Sequence, residues 1–335
     1  LSASPDPPVD YRTSRQFREI LQSTAGSLGV DEAFIEKDWH VVQLLKGLAK
    51  FRYNDCRLVF GGGTSLSKAF GLIRRFSEDI DFRVVPGDHV SALSDGQRRR
   101  FRNAVEDEIA RSGYLVDGSR TESRNSRRMF TLFVPYDPIH SNAALRPDIK
   151  VEVSLEAPRL ETAPRGVLSF MTQAHSRHRI VKQPPVTIDC IDPVETAADK
   201  LAALSWRVFE QRTLPDTAGP SGRARDRSLV RHVHDLCALE QTVATDPRFK
   251  PLLSELLDHD NVRRGAETRD ERPSDPEERI GQICETLLNK PFLEDYRKFV
   301  REVGYGNPIP SIEEGVAAIA RLASCLSAEE VSILG

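Results

Sequence analysis

A chain of 335 residues that is 39% hydrophobic can bury a sizeable core, and by length we expect two domains. A formal net charge of -3, with 29% charged residues, is ordinary for a soluble protein. The five cysteines, Cys56, Cys190, Cys237, Cys284 and Cys325, are scattered, odd in number and without a CxxC pair, which argues against a disulfide framework and a zinc ribbon and fits a reducing cytoplasm. No apolar run approaches the length of a membrane span, and the Pro- and Asp-rich start, Leu1 to Asp10, does not read as a signal peptide. Of the 47 basic residues only ten are lysine. That bias has two readings of equal weight, a GC-rich coding sequence or a need for the planar guanidinium in phosphate recognition.

In chain order, residues 12–50 are predicted helical: Phe17, Ile20 and Leu21, then Phe34, Ile35, Trp39, Val42, Leu45 and Leu48 recur at helical spacing around a Gly-containing break at 26–30. Arg57 to Phe60 is predicted as a strand running into Gly61-Gly62-Gly63, Thr64 to Leu72 as a helix, and Ile80 to Val85 as a strand ended by Pro86-Gly87. Residues 97–112 form a charged helix, followed by expected strands at 114–117, 129–134 and 147–155. Gln183 to Pro193 is read as the passage between domains. From Asp192 onward the pattern is helical, with polar loops at about 211–228 and 261–277. The expected architecture is α/β (α+β), a domain with a mixed sheet over 1–190 followed by a helical domain over 191–335.

The most informative stretch runs from Leu58 to Phe82, LVFGGGTSLSKAFGLIRRFSEDIDF. Glycines let the backbone approach a ligand, and a helix N-terminus favours phosphate, but a glycine turn alone is a weak signal and this one lacks the spacing of a P-loop. The strand after it sharpens the reading. In Asp79-Ile80-Asp81-Phe82 strand periodicity puts the two carboxylates on one face. They repel unless a cation lies between them, and hard oxygens suit Mg²⁺, which binds substrate phosphates. The plainer alternative is an edge strand with an acidic outer face. A third carboxylate fits: Ile149, Val151 and Val153 alternate with Lys150, Glu152 and Ser154, so Glu152 joins Asp79 and Asp81 if the two strands are neighbours. Asp148 competes for that place; we assign it to the apolar side and favour Glu152.

These residues resemble the signature of the AbiEii-type nucleotidyltransferases, a family that includes abortive-infection and MenT-type toxins. Besides GGTSLSKAF and RRFSEDIDF, Glu36-Lys37-Asp38-Trp39 resembles the family's EKD-aromatic helix, and Ile149 to Ser154 its third-carboxylate strand. Asp199 to Leu204 with Arg207 resembles its lysine helix, and Arg231 to Leu236 its closing motif. The resemblance implies a nucleotidyltransferase fold, NTP as substrate and Mg²⁺ as cofactor. Several relatives attach nucleotides to the 3′ end of tRNA and so stop translation, which makes RNA, a tRNA first, the expected acceptor and a cognate antitoxin an expected partner. It further implies that Asp79, Asp81 and Glu152 hold metal and that Gly62, Gly63, Thr64, Ser65 and Lys68 lie around the phosphates. By the same resemblance, Lys200 and Asp235 are expected to come from the helical domain to close the site. One departure stands out: many relatives read Arg-Asp at the start of the closing motif, where this chain has Arg231-His232, and an Arg-Asp pair occurs upstream at Arg225-Asp226. Asp235 is favoured over Asp226.

Outside the family pattern the signals are weaker. Arg98, Arg99, Arg100 and Arg102 read as a solvated helix face. Arg120, Arg124, Arg127 and Arg128 read equally as surface or as an RNA-backbone track. His175 with His178, and His232 with His234, lack a ligand set at metal spacing. Ser77 is a candidate control point, because a phosphate two residues before Asp79 carries negative charge into the site. Phe292, Tyr296, Phe299 and Val300 are spaced as core. Two alternatives remain: nucleotidyl transfer to a protein or small molecule, and a non-catalytic nucleotide- or RNA-binding module.

Overall fold

The computed structural model describes residues 14–176, 184–211, 225–264, 273, 275–306 and 308–326. His178, Gln183 and most of the 211–228 and 261–277 loops lie outside them. The chain divides into two compact units, Leu1–Asp192 and Pro193–Gly335.

In the first unit, Ser14 caps α1 (Arg15–Leu28) by accepting from Phe17 N–H, and Gly29 ends it at φ 67°, a left-handed position where glycine avoids the Cβ clash. Asp31 then caps α2 (Glu32–Leu48). Strand β1 (Arg57–Gly61) passes directly into α3 (Gly62–Lys68), which stops four residues short of the expected end at Leu72. After β2 (Asp79–Val85) come the short α4 (Gly87–Ser91) and α5 (Asp95–Arg111), whose Ser94 and Gln97 form a capping box. Strands β3 (Glu122–Arg124), β4 (Met129–Pro135), β5 (Asp148–Ser154) and β6 (Ala163–Val167) follow, then α6 (Phe170–Ser176) and β7 (Val186–Cys190).

The seven strands form one mixed sheet in the order β3-β4-β5-β2-β1-β7-β6. β2 lies antiparallel to β1 and parallel to β5, while β5 is antiparallel to β4. Two expectations change here. Residues 114–117 are irregular rather than a strand, although Asp117 N–H still donates to Phe133 of β4 at 2.8 Å. Val186 to Cys190, expected as a linker, is a strand between β1 and β6. Its alternation is short and follows Pro184-Pro185, which masked it.

One face of the sheet is apolar. Ile80, Phe82 and Val84 of β2, Ile149, Val151 and Val153 of β5, and Phe130, Leu132 and Val134 of β4 bury against Leu44, Leu45 and Leu48 of α2 and Phe101, Val105 and Ile109 of α5. Each such side chain contributes about 1.5–3 kcal/mol relative to exposure. Strand pleating therefore turns Asp79, Asp81, Lys150 and Glu152 to the opposite face, because a one-residue slip would bury charge in this core.

The second unit is helical in its described residues: α7 (Pro193–Gln211), a 3-10 turn (Arg227–Leu229), α8 (Val230–Val243), α9 (Phe249–Arg264), α10 (Pro276–Leu287), α11 (Lys290–Val303) and α12 (Ile312–Ala323). Phe292, Tyr296 and Phe299 of α11 are buried, as their spacing predicts, whereas Val300 is only half-buried. Among the described residues no helix is long and apolar enough to cross a membrane.

Candidate active site

The expected condition for Glu152 is met: β5 is the neighbour of β2, in parallel register. Asp79 stands opposite Lys150, and Asp81 opposite Glu152. Adjacent strands are about 4.8 Å apart, so Asp81 and Glu152 project side by side from one face. On the other flank Asp81 is paired with Gly61. Thr131 of β4 lies opposite Glu152, its hydroxyl 3.5 Å from the carboxylate.

The glycine turn is fitted to this face. Gly62 has φ 68°, and a Cβ on it would stand 1.9 Å from Asp81 Oδ2. Only a residue without a side chain satisfies both conditions. A Cβ on Gly63 would meet Arg75 Nη2 at 2.3 Å and Ser77 Oγ at 3.1 Å, so Ser77 borders the same turn. Thr64 is buried and its hydroxyl donates to the Asp79 carbonyl, tying the start of α3 to the start of β2. Ser65 is buried beside it.

Lys68 has a different setting from the one the resemblance implies. Its ammonium pairs with Asp38 of α2, with both side chains almost wholly buried, and lies 3.3 Å from the centre of the Phe170 ring. Burial lowers the Lys68 pKa, and it raises that of Asp38, against the pull of each partner. Asp38 also accepts from Phe170 N–H at 2.7 Å. As placed here, the lysine is committed to a tether between α2, α3 and α6.

That tether belongs to a group of three consecutive charged residues on α2, all buried. Buried charge is costly unless paired, and each of the three reaches a different segment. Glu36 accepts from the backbone N–H groups of Ile139 and His140 at 2.8 and 2.9 Å. Lys37 pairs with Glu78 and donates to the Arg146 carbonyl at 2.6 Å. Asp38 holds Lys68. Sequence reasoning found this motif but gave it no task; its task is to fix the loops that flank β2 and β5.

Arg146 was missed altogether. Its guanidinium pairs with Asp79 and sits 3.3 Å from Glu78. Lys150 pairs with Glu152 at 2.9 Å. In keeping with these pairings, no three His, Cys, Asp or Glu side chains among the described residues are gathered tightly enough to hold a metal ion. The donor set still fits a hard divalent cation, since three carboxylates occupy neighbouring register positions on one face. Asp148 needs correction. It shares strand parity with Glu152 rather than with the apolar residues. What removes it is burial, at 1% exposure, and its ion pair with Arg120.

In the helical unit, Lys200 of α7 and Asp235 of α8 form an ion pair at 2.9 Å, with Asp235 fully buried. Asp226, the rival aspartate, caps the 3-10 turn through Ser228 and pairs with Arg207. Burial raises its pKa, but Ser228 and Arg207 leave it below the ordinary value. His232 lies between these groups, its Nε2 3.3 Å from Arg207. Burial, then the Lys200 and Arg207 charges, hold its pKa well below 6.5. His234 stacks edge-on against Phe299. Neither histidine belongs to a metal cluster among the described residues.

A family model described as nucleotidyl transferase AbiEii toxin, type IV TA system, matches residues 43–318. The chain belongs to the AbiEii nucleotidyltransferase toxin family. It is thus a nucleotidyltransferase, and its family is that of toxins in toxin–antitoxin systems. Its fold is similar to that of MenT4, a nucleotidyltransferase toxin from Mycobacterium tuberculosis. The TM-score is 0.57 at 20% identity, covering 94% of this chain and 90% of that one. A structure from H. pylori, described as a candidate nucleotidyltransferase, aligns at a TM-score of 0.41 and 15% identity over 87% of this chain and 92% of that one, too loosely to carry an argument. No curated protein matches the sequence.

Proposed function

We propose that this enzyme transfers a nucleoside monophosphate from an NTP to the 3′ end of RNA, a tRNA first, and thereby blocks translation in the cytoplasm. The observation that carries the reading is the alignment of Asp81 with Glu152 across β2 and β5, with Gly62 packed against the Asp81 carboxylate.

Asp79, Asp81 and Glu152 are the residues that would hold Mg²⁺. Bound there, a divalent cation would supply charge neutralisation for the triphosphate and would lower the pKa of an attacking hydroxyl. Gly62 and Gly63 let the nucleotide approach the backbone, Thr64 and Ser65 fix the turn, and Lys68 supports it from behind through Asp38. Lys200, paired with Asp235 at 2.9 Å, is the basic residue that the family resemblance assigns to phosphate binding.

Incubation with Mg²⁺, each labelled NTP in turn and total bacterial RNA tests this. Label on tRNA-sized bands, lost in Asp81→Asn, is the expected result. Label on protein would move the acceptor to a side chain, and label on neither would overturn the RNA assignment.

A further inference from the structure

Arg146 combines a fixed main chain with an exchangeable head. Its carbonyl accepts from the buried Lys37 ammonium at 2.6 Å, and its N–H faces Glu78 at 3.4 Å. Lys37 is 2% exposed, whereas the Arg146 side chain is 35% and Asp79 16% exposed. The residue is therefore anchored from inside while its guanidinium reaches Asp79 where water has access. A partly exposed ion pair of this kind is weak and reversible. Lys150 stands opposite Asp79 in the strand register and pairs with Glu152. Two positive charges thus sit on the two outer members of a carboxylate trio that would otherwise repel.

We propose that Arg146 is an exchangeable counter-ion of Asp79, displaced when a divalent cation takes that carboxylate and delivered to the triphosphate of the incoming nucleotide. This inference rests on the metal site proposed above. The guanidinium holds Asp79 Oδ1, and a cation that takes that oxygen displaces it. The freed fork of N–H donors suits phosphate oxygens, which accept two parallel hydrogen bonds from it. Because the backbone stays pinned by Lys37, only side-chain torsions change.

The test is a Mn²⁺ titration of the full chain without nucleotide, followed in the same samples by binding of a non-hydrolysable NTP. It compares the parent with Arg146→Met, Arg146→Gln, Arg146→Lys and Asp81→Asn. The competition predicts opposite signs. Arg146→Met and Arg146→Gln bind Mn²⁺ roughly fivefold tighter than the parent, the factor that matches loss of an ion pair of about 1 kcal/mol. They bind the nucleotide more weakly. Arg146→Lys keeps near-parent Mn²⁺ affinity but loses nucleotide affinity, because an ammonium lacks the fork. A tether that merely holds Asp79 in place would instead weaken Mn²⁺ binding. Unchanged or weaker Mn²⁺ binding in the folded Met and Gln variants overturns the inference while leaving the site intact. Absence of Mn²⁺ binding by the parent, or binding indifferent to Asp81→Asn, overturns the site and the inference together.

Discussion

Two ion pairs in the sheet unit are both tied to α2 and differ sharply in their access to water. Asp38 and Lys68 are 4% and 3% exposed in their side chains, whereas Asp79 and Arg146 are 16% and 35% exposed. The first pair cannot open without leaving an unpaired charge inside the protein, so it is architecture. The second can exchange its cation at little cost, so it is available for chemistry. Both are secured by the same helix: α2 supplies Asp38 directly and holds Arg146 through Lys37. By this contrast the lysine in the glycine-turn motif is buried against Asp38, while an arginine outside every motif lies at the acidic face.

The largest effect should follow from the exposed side of the comparison. Replacing hydrogen-bond partners behind a metal ligand already costs about 10–100-fold, so Asp81→Asn should lower nucleotidyl transfer more than about a hundredfold. Its melting temperature should stay close to that of the parent. A large fall in stability would mean that Asp81, like Asp38, is architectural. On the buried side, Lys68→Met should cost roughly 3–5 kcal/mol by leaving Asp38 unpaired, and adding Asp38→Asn should restore much of it. Denaturant unfolding measures both. Unchanged stability with a raised KM for NTP would return Lys68 to the phosphate site.

Gly62→Ala sits between the two classes. An L-residue at φ 68° costs about 1–2 kcal/mol, and the methyl would also displace the Asp81 carboxylate. Transfer should therefore fall by more than stability alone explains. Activity measured well below the melting temperature separates the two effects.

The smallest expected effect is in the helical unit. Folded His232 releases its proton more readily than the unfolded chain does, because burial and the charges of Lys200 and Arg207 oppose protonation. As pH falls below about 6.5 the unfolded chain takes up the proton first, so stability declines there and is flat above it. His232→Asn should reduce that slope in melting curves taken between pH 5 and 8, and an unaltered slope would assign it to other groups.

The site was legible where strand alternation and glycine met in one stretch. Asp79, Asp81 and Glu152 share a face because Ile80, Phe82, Val151 and Val153 must bury, and period two settles the rest. Lys200 and Asp235 were picked out only by resemblance to family motifs, and the structure pairs them with each other at 2.9 Å. Arg146 was not legible, because a lone arginine in the loop before β5 carries no periodic signal and its partners are 67 and 68 positions away. The same holds for β6, whose Pro164 and Gly166 disguise an edge strand, and for β7, hidden behind two prolines. Asp148 shows the opposite failure: its parity was misassigned, and what excludes it is the tertiary pairing with Arg120.

The most direct test of the account is anomalous diffraction from crystals grown with Mn²⁺ and a non-hydrolysable NTP. The account predicts Mn²⁺ bound by Asp81 and Glu152, with the triphosphate beside Gly62 and Gly63. Mn²⁺ and nucleotide bound together elsewhere, with the Asp81 and Glu152 carboxylates untouched, would contradict it.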